Sequence, residues 1–471
     1  MHRLAPPALA ALALVFATLP AHSADTKSSK ASVPAKSAAA PVAAPAAGKG
    51  PVEIEFWHAM DGALGEYLNE TVAKFNATHP EYAVKPVYKG SYDDTLAAAT
   101  AAQLQGKQPA IVQAYDVATA SLMAQKKLTK PVYQLMSETG VKLDRAAFVP
   151  AVASYYSDSK GNLMALPFNT STPVFFYNKD KFKKAGIESG VRFKTWYDVQ
   201  AGLLKLLEAD PYSACGLTTT WPAWVLLENT LTYHDEEFAT KNNGFDGADA
   251  QLTFNSRLAI RHLSLLTSWI KSRLFEYNGR RDEAEARFVK GECAMMTASS
   301  ASYAEIWRKA GFEFGVMPMP YYDDINQAPY HTTMGGASLW VLSGKKPAEY
   351  KGVAEFFAYL AKPDVQAAWH QNTGYLPVTR AAYELTKQSG YYQKYPGTEV
   401  PIEQIVGADK GPLAPHSRGV RLGNQAQIRA IVDDEIEQAF ALKKAPKQAL
   451  DDAATRGNEL LRQFQRQYGG K

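Results

Sequence analysis

The residue types most often used in catalysis occur here without the spacing that catalysis requires. The nine histidines show no H-E-x-x-H pattern, and Cys215 and Cys293 are far apart, without a C-x-x-C motif. No G-x-S-x-G elbow and no Gly-Lys phosphate loop is present. The adjacent carboxylates Asp93 and Asp94 are more typical of a solvated turn than of an acid–base pair. We therefore expect no enzymatic activity, no metal site and no cofactor.

Polar groups suited to an anion occur instead where apolar runs end. Tyr92 opens a helix in "KGSYDD", and Asp116 follows a buried run in "AYDVA", the usual position of ligand contacts in α/β sheets. Hydroxyls and glycine amides follow other runs in "NTSTP", "TASSAS" and "MGGASLW", while "TGYLP" and "GVRLGN" add Tyr375 and Arg421. Hydroxyls, backbone N–H groups and an arginine are donors that bind anions. Taken singly, each Ser or Thr could equally cap a turn, and Arg421 could be a surface residue.

One stretch, "LPFNTSTPVFFYNKD" from Leu166 to Asp180, places an Asn and three hydroxyl residues between two apolar runs that read as strands. Buried hydroxyls cost free energy unless they are hydrogen-bonded. The polar group from Asn169 to Thr172 must therefore have partners, either in the protein or in a ligand.

The order of predicted elements is that of an α/β protein. Strand-like residues 52–57, 82–88 and 109–115 alternate with helical residues 62–78 and 92–105. Thr195 with Asp198 predicts a capped helix in the middle of the chain. Further predicted strands are 312–319 and 337–342, and further predicted helices are 281–290, 353–360, 363–370, 428–442 and 448–465.

The N-terminus has the layout of a secretory signal peptide. A positive start is followed by an apolar run to Leu19 and by small residues that allow cleavage after Ser23 or Ala24. No cysteine lies nearby to carry a lipid anchor. Residues 25–50, almost all Ala, Pro, Ser and Lys, predict a disordered tether. These first fifty residues account for all of the net charge of +4, so the folded body lacks the basic excess typical of nucleic-acid proteins.

The remaining chain is long enough for two lobes with separate cores. Aromatic residues make up 11% of the sequence, which suits a cleft lined by flat side chains. In an oxidising compartment Cys215 and Cys293 could form a disulfide, or they could remain two buried thiols. The sequence leaves both alternatives open.

Several segments, in this order, resemble the periplasmic solute-binding proteins of bacterial ABC importers, and within that family those that bind sn-glycerol-3-phosphate. The resemblance runs from about Val52 to the C-terminal helices. The segments are "FWHAMDG", "YKGSYDDTL", "FVPAVASYYSDSKGNLMALPFNTSTPVFFYNKDKFKKAGI", "KNNGFDG", "CAMMTASS", "GGASLWV", "WHQNTGYLP" and "RLGN".

The resemblance implies an α/β, two-lobed periplasmic binding protein fold of type II (Venus-flytrap), with hinge-linked lobes and a ligand held between them. The chain would cross between lobes near Phe168, Met317 and Pro363. The implied domains are a signal peptide (1–24), a tether (25–50), a first lobe (51–167 with 317–362) and a second lobe (168–316 with 363–471).

The resemblance also implies a set of site residues. A phosphate would be bound by Tyr92, Ser171, Ser299, the N–H of Gly336, Tyr375 and Arg421. Asn169, Thr170 and Thr172 would brace the turn beside Ser171. The rings of Trp221 and Trp224 would wall the glycerol end. Asp116 stands where the family has a glutamate that accepts bonds from the glycerol hydroxyls; it keeps the acceptor but is one methylene shorter.

These features predict a soluble, monomeric periplasmic protein that captures sn-glycerol-3-phosphate and delivers it to the permease and ATPase of an ABC importer, with no nucleic-acid partner. One alternative is that the cleft binds glycerophosphodiesters such as glycerophosphocholine. Another is a sugar-binding protein of the same fold. A third is a secreted phosphoesterase, which would require a metal cluster or a nucleophile–base pair.

Overall fold

The computed structural model describes residues 50–188, 190–211, 215–406 and 413–469. The predicted signal peptide, and all of the predicted tether except Gly50, lie outside the described residues. Within the described ranges, no helix is both long enough and apolar enough to cross a membrane.

Ten strands form two sheets in the described part of the chain. The first sheet has the order β2-β1-β3-β10-β4 with β5 also paired to β10, and the second has the order β7-β8-β6-β9. The strands are β1 (Val52–His58), β2 (Tyr82–Tyr88), β3 (Ile111–Tyr115), β4 (Thr129–Lys130), β5 (Leu166–Ser171), β6 (Pro173–Asn178), β7 (Cys215–Thr219), β8 (Cys293–Ser299), β9 (Phe314–Met317) and β10 (Gly335–Leu342).

Helices cover both sheets and form the C-terminal end. They are α1 (Gly62–Thr78), α2 (Tyr92–Leu104), α3 (Thr119–Ala124), α4 (Val132–Thr139), α5 (Pro150–Tyr155), α6 (Lys179–Lys184), α7 (Trp196–Ala209), α8 (Asn229–Tyr233), α9 (Thr240–Asn243), α10 (Arg257–Lys271), α11 (Glu285–Val289), α12 (Ser302–Lys309), α13 (Pro347–Leu360), α14 (Pro363–Thr373), α15 (Arg380–Gln388), α16 (Tyr391–Lys394), α17 (Val400–Val406), α18 (Gln425–Phe440) and α19 (Pro446–Tyr468). A π-helix spans Ala223–Glu228, and α9 is a left-handed turn with positive φ at three residues.

The predicted strand–helix order at the start of the chain is confirmed. Strands β1 and β2 pair in parallel, and β3 pairs with the other side of β1. Helix α1 buries Leu68, Val72 and Phe75, which the helical period brings to one face. All five residues of β3 are buried, as expected of a strand covered on both faces.

Two predicted elements are shorter than the sequence suggests. The predicted strand 312–319 is reduced to β9, which pairs only with β6, through residues Phe314 to Met317. The predicted helix 281–290 is reduced to α11, which runs from Glu285 to Val289. The capped helix predicted at Thr195 is present, with reciprocal bonds between Thr195 and Asp198.

Each sheet has its own apolar core, so the described chain forms two α/β lobes. The core of the first sheet includes Phe56 and Phe168, and the core of the second includes Phe175 and Trp269. Trp369, which the predicted domain boundaries assign to the second lobe, belongs to the first core and packs 4.6 Å from Phe168 by ring centroids. The domain boundaries as a whole remain a prediction.

A single residue, Thr172, separates β5 of the first sheet from β6 of the second. The chain returns from β9 of the second sheet to β10 of the first. The last residues of β5 and β8 and the first residues of β10 therefore meet in the region between the sheets.

Cys215 and Cys293 form a disulfide, which resolves the two alternatives left open by the sequence. They lie opposite each other at the first residues of the parallel strands β7 and β8, with Cα atoms 4.4 Å apart. The far ends of these two strands point toward the region between the sheets.

Candidate functional site

A cavity of about 440 Å³ lies between the two sheets. Its walls come from strand ends and helix starts of both lobes. Eight of the nine predicted site residues line it: Tyr92, Asp116, Ser171, Trp221, Trp224, Ser299, Gly336 and Tyr375. Asp61, Tyr115, Asp282, Glu285, Ser302, Glu305, Lys309, Gly335 and Arg429 also contribute to the lining, among other residues.

The strand ends explain why residues distant in sequence meet here. Asp116 follows the last residue of β3, Ser171 ends β5 and Ser299 ends β8. Ser171 lies opposite Gly335 in the β5–β10 register, so the first two residues of β10 flank it. The sheet topology thus brings hydroxyls and backbone amides together from both lobes.

The polar group between β5 and β6 has identifiable partners. Asn169 accepts a bond from Gln113 Nε2 and donates one to the Tyr92 hydroxyl, both at 2.9 Å. Thr172 donates to the carbonyl of Pro401 at 3.2 Å. These contacts fix the backbone beside Ser171, whose side chain is left at the cavity wall.

Thr170 differs from its neighbours. Its carbonyl accepts a bond from the N–H of Leu376 at 2.8 Å, but its buried hydroxyl has no partner within the described residues. The bracing of this position therefore comes from its backbone.

The phenols of Tyr92 and Tyr375 are neutral donors at the cavity wall. Burial raises the pKa of Tyr375 to about 12 and raises the pKa of Tyr92 well above its ordinary value. The Tyr92 ring stacks on Tyr115 at 5.3 Å, and the Tyr375 ring stacks on Trp369 at 6.3 Å. Both hydroxyls consequently keep their protons at neutral pH in fixed positions.

Trp221 has an unusual backbone conformation, with a φ of 48°. A bulky residue in the left-handed region is strained, and such strain concentrates at functional sites. The indole N–H of Trp221 donates to Asp282 Oδ1 at 2.6 Å, and the π-helix Ala223–Glu228 follows two residues later. Irregular helical turns of this kind also concentrate at functional sites.

Trp224 is nearly buried against the first sheet. A Cβ placed on Gly335 would lie 2.4 Å from its ring, so the absence of a side chain there makes room for the indole. Its indole N–H has no acceptor in the described part of the structure. This nitrogen is buried, so the ring and not the N–H of Trp224 is what the structure places at the cavity wall.

Gly336 can only be glycine in this arrangement. Its φ is 87°, and a Cβ at this position would lie 1.9 Å from the carbonyl oxygen of Asn169. The backbone of β10 therefore approaches β5 closely, beside the N–H predicted to bind an anion.

The structure does not bring Arg421, the ninth predicted site residue, to the cavity. Its Nη1 donates to the carbonyls of Tyr155 and Ser157 at 2.9 and 2.7 Å, and the side chain is buried in the protein. Burial lowers the pKa of Arg421 to about 10. In this structure Arg421 links its own segment to residues 155–157 and does not line the cavity.

Arg429 takes the position at the cavity wall that was expected of Arg421. Its guanidinium donates to Asp116 Oδ2 at 2.8 Å and to both oxygens of Glu228, at 2.9 and 2.7 Å. Burial alone would lower the pKa of Arg429, but the two carboxylates outweigh it and raise the pKa. The guanidinium is therefore charged at any physiological pH.

Sequence reasoning overlooked Arg429, although a signal was present. Helix α18 buries Gln425, Ile428, Arg429, Val432, Asp433 and Ile436, which recur at helical spacing. An arginine on the apolar face of a helix requires a buried partner or a ligand.

The lining also includes a group of acidic residues. It contains Asp61, Asp282, Glu285 and Glu305, with Lys309 as a counter-charge. Burial raises the pKa of Asp282, and raises the pKa of Glu285 to about 8. The cavity lining thus contains an arginine, a lysine and several carboxyl groups. Within the described residues, no group of three or more His, Cys, Asp and Glu could hold a metal ion.

Comparison with known proteins gives one family and several close relatives. The family model described as bacterial extracellular solute-binding protein matches residues 70–400. The chain is 49% identical over 414 residues to the sn-glycerol-3-phosphate-binding periplasmic protein UgpB of Yersinia pestis, covering 88% of this chain and 93% of the relative. It is 48% identical to the protein of the same name from Salmonella typhimurium, with the same coverage.

Solved structures share the architecture. UgpB from Mycobacterium tuberculosis, in complex with glycerophosphocholine, superposes with a TM-score of 0.71 at 20% identity, covering 89% of this chain and 99% of that one. The cyclic α-maltosyl-1,6-maltose binding protein from Arthrobacter globiformis gives a TM-score of 0.68 at 21% identity, with coverage of 88% and 100%. At these identities the likeness concerns the fold, and it confirms the predicted two-lobed α/β architecture.

Proposed function

The chain belongs to the family of bacterial extracellular solute-binding proteins, and on that premise we propose that it captures sn-glycerol-3-phosphate and delivers it to an ABC importer. The observation that carries this proposal is the convergence of Arg429 with neutral donors from both lobes in one cavity. The names of the relatives from Yersinia and Salmonella support the choice of ligand.

The phosphate is held by one charged group and several neutral ones. A phosphate monoester carries about −1.5 to −2 charges at neutral pH and strong acceptor oxygens. Ser171 and the N–H of Gly336 approach from the first lobe, and Ser299 approaches from the second. The Tyr92 and Tyr375 phenols add protonated donors. Neutral donors satisfy the oxygens without making the site a trap for every anion.

Arg429, and not Arg421, is the cation of this site. Its Nη1 makes only a long contact, 3.4 Å, to Asp116 Oδ1, so this nitrogen retains donor capacity for a phosphate oxygen. Glu228 holds the other edge of the guanidinium and fixes its plane. The Asp116 carboxylate accepts from the glycerol hydroxyls, and the rings of Trp221 and Trp224 cover the carbon chain.

A specific observation favours glycerophosphodiesters as a second ligand class. A diester carries a single negative charge on its phosphate, and glycerophosphocholine also carries a positive head group. The carboxyl groups of Asp61 and Asp282, with the Trp221 ring beside Asp282, suit such a cation through charge and cation–π attraction.

Two other functions are less well supported. Sugar-binding proteins share the fold, as the Arthrobacter structure illustrates, but a fold alone does not define a ligand. A phosphoesterase would need a nucleophile–base pair or a metal, and membership of a solute-binding family favours binding without turnover.

The cellular setting follows the family. The proposal includes a cleaved signal peptide, a location in the periplasm, a monomer with lobes linked by hinges, and a permease with its ATPase as partners. The protein has no nucleic-acid partner, since its folded part carries no net charge.

Calorimetric titration of the mature chain, residues 25–471, tests the proposal. Glycerol-3-phosphate should bind with one-to-one stoichiometry, and glycerol and maltose should not bind. Glycerophosphocholine measures the second ligand class in the same assay. Binding of maltose without glycerol-3-phosphate would favour the sugar reading, and release of inorganic phosphate during incubation would favour the phosphoesterase.

A further inference from the structure

An ion pair joins the two lobes beside the aromatic wall of the cavity. Arg281 Nη2 donates to Asp93 Oδ2 at 2.7 Å. Arg281 precedes α11, which packs on β8 of the second sheet, and Asp93 lies in the first turn of α2, which packs on β3 of the first sheet. The pair therefore spans the gap between the sheets, although neither residue lines the cavity.

The same arginine contacts the cavity residue Trp221 from behind. Its guanidinium carbon lies 4.6 Å from the centroid of the Trp221 ring, and its carbonyl accepts a bond from the Trp221 N–H at 3.3 Å. The neighbouring Asp282 accepts from the Trp221 indole at 2.6 Å. The strained Trp221 is thus held by two consecutive residues, one of which also reaches the other lobe.

Asp93, the carboxylate of this ion pair, is also connected to the cavity. Asp93 accepts a hydrogen bond from the hydroxyl of Tyr115, and the Tyr115 ring stacks on Tyr92. Both tyrosines line the cavity. An unbroken series of contacts therefore runs from the aromatic wall of one lobe, through Arg281 and Asp93, to the phenols of the other.

We propose that Arg281 is a positioning residue that couples the placement of Trp221 against the ligand to the closing of the two lobes. The inference rests on the proposed function, since closing follows ligand capture. When the lobes are together, Asp93 holds the guanidinium over the indole ring of Trp221, which lines the cavity. When they separate, the guanidinium loses its carboxylate partner, and the Trp221 ring loses the support behind it.

The chain offers a matched control for this geometry. Arg261 also lies over an aromatic ring, 4.2 Å from the Tyr322 centroid, and donates to both oxygens of Asp324 at 2.8 Å. Arg261 also donates to the Tyr197 hydroxyl, and all three partners lie on the second lobe's side of the structure. Arg261→Gln therefore removes the same kind of contacts without affecting a contact between lobes.

A second control distinguishes the loss of a link between the lobes from the loss of support for the Trp221 ring. Arg308 and Glu66 form another ion pair between α12 and α1, with 3.3 Å between Nη1 and Oε2. No contact of this pair involves Trp221. Arg308→Gln therefore weakens a link between the lobes and leaves the support of the aromatic wall intact.

Stopped-flow measurement of tryptophan fluorescence with glycerol-3-phosphate tests the proposal. Arg281→Gln should speed ligand dissociation by about threefold to tenfold, the combined scale of an exposed ion pair and a cation–π contact, with little change in association. Raising the salt concentration should speed dissociation from the natural chain and have less effect on the variant. The charge-exchanged double variant Arg281→Asp with Asp93→Arg should recover part of the ion-pair contribution.

The outcomes distinguish this inference from the proposed function. If the natural chain does not bind glycerol-3-phosphate, the proposed function fails. If the natural chain binds and Arg281→Gln dissociates at the same rate as Arg261→Gln, the coupling is wrong. It is also wrong if Arg308→Gln speeds dissociation as much as Arg281→Gln and gives the same fluorescence change.

Discussion

Asp116 Oδ2 and Arg429 Nη2 lie 2.8 Å apart, although 313 residues separate them in the chain, and both side chains are almost fully buried. Glu228 completes the group from the second lobe at 2.7 Å. Burying charges is costly, so such a group is weak evidence for stability but strong evidence that its members depend on one another. Removing Arg429 would leave two buried carboxylates without a cation, whereas removing either carboxylate leaves one ion pair.

The role of Arg429 can be tested by exchanging it for a neutral residue of similar shape. Arg429→Gln should weaken glycerol-3-phosphate binding by about a hundredfold or more, because truncating one partner of a buried charge pair costs about 2–5 kcal/mol. Calorimetric titration measures the change. Circular dichroism must first show that the variant is folded, since it leaves Asp116 and Glu228 without a cation.

Arg421→Gln is the matched comparison. It should lower the midpoint of thermal unfolding, because two backbone carbonyls lose their donor, and should leave affinity within about threefold. The assignment would be reversed if the Arg421 variant lost binding while the Arg429 variant retained it.

Gly336 should tolerate no side chain. Gly336→Ala places a methyl group against the Asn169 carbonyl at a positive φ, and we expect a loss of about 2–4 kcal/mol in the free energy of unfolding. Urea unfolding measures it. Gly311→Ala, where a Cβ would meet no atom within 4 Å, should be close to neutral. Equal losses at the two positions would contradict the close approach of β5 and β10.

Two substitutions of Trp221 can separate the effect of its backbone strain from the effect of losing its ring. Trp221→Ala and Trp221→Gly should both weaken ligand binding, since both lose the ring. The free energy of unfolding of the glycine variant should be about 1 kcal/mol higher than that of the alanine variant, because only glycine adopts a φ of 48° without strain. Paired urea titrations give the difference, and an alanine variant at least as stable as the glycine variant would rule out the strain.

The disulfide should make a large contribution to stability. It closes a loop with a sequence separation of 78, for which chain entropy predicts about 4 kcal/mol. The double variant Cys215→Ala with Cys293→Ala should therefore unfold at a markedly lower guanidinium concentration. The natural chain unfolded in the presence of a reductant should match the double variant. If the bond has not formed, the reductant should leave the unfolding midpoint of the natural chain unchanged.

The carboxyl group of Asp433 should make the free energy of unfolding depend on pH in a defined direction. Burial raises its pKa in the folded protein to about 7, whereas an unfolded aspartate titrates near pH 3.9. The folded state therefore holds the proton more tightly, and this residue makes the free energy of unfolding fall as pH rises from about 4 to about 7. Asp433→Asn should remove that fall.

Urea titrations between pH 4 and pH 8 measure this effect. The difference between Asp433→Asn and the natural chain should grow in favour of the variant across the window and level off above it. Glu459→Gln, on an exposed position of α19, should run parallel to the natural chain. Parallel curves for Asp433→Asn as well would show that the residue titrates normally.

The helices and strands of the first lobe were largely predictable, because the sequence patterns that identify them are local. The apolar alternation of β1, the helical spacing in α1 and the buried run of β3 each fix an element without reference to the rest of the chain. The position of Asp116 at the end of β3 then follows from the general behaviour of α/β sheets, whereas Ser171 and Ser299 were predicted from the resemblance to a family.

The cation of the site was not predictable in the same way. Arg421 and Arg429 lie two helical turns apart in sequence, and both follow motifs rich in polar residues. Which of them faces the cavity depends on how α18 docks against residues 116–118 and the π-helix. The helical spacing of α18 marks Arg429 as buried, but it does not give that docking. The acidic wall was missed for a related reason, since Asp61 and Glu285 come together only through the packing of the two lobes.

The single residue between β5 and β6 has a geometric consequence. Any turning of one sheet relative to the other must be absorbed by very few backbone torsions near Thr172, and Pro173 restricts those torsions further. Ser171 therefore sits almost on the pivot, where a rotation displaces atoms least. Residues farther from Thr172 would be displaced more, so Ser171 keeps its place beside the connection while more distant parts of the cavity wall move.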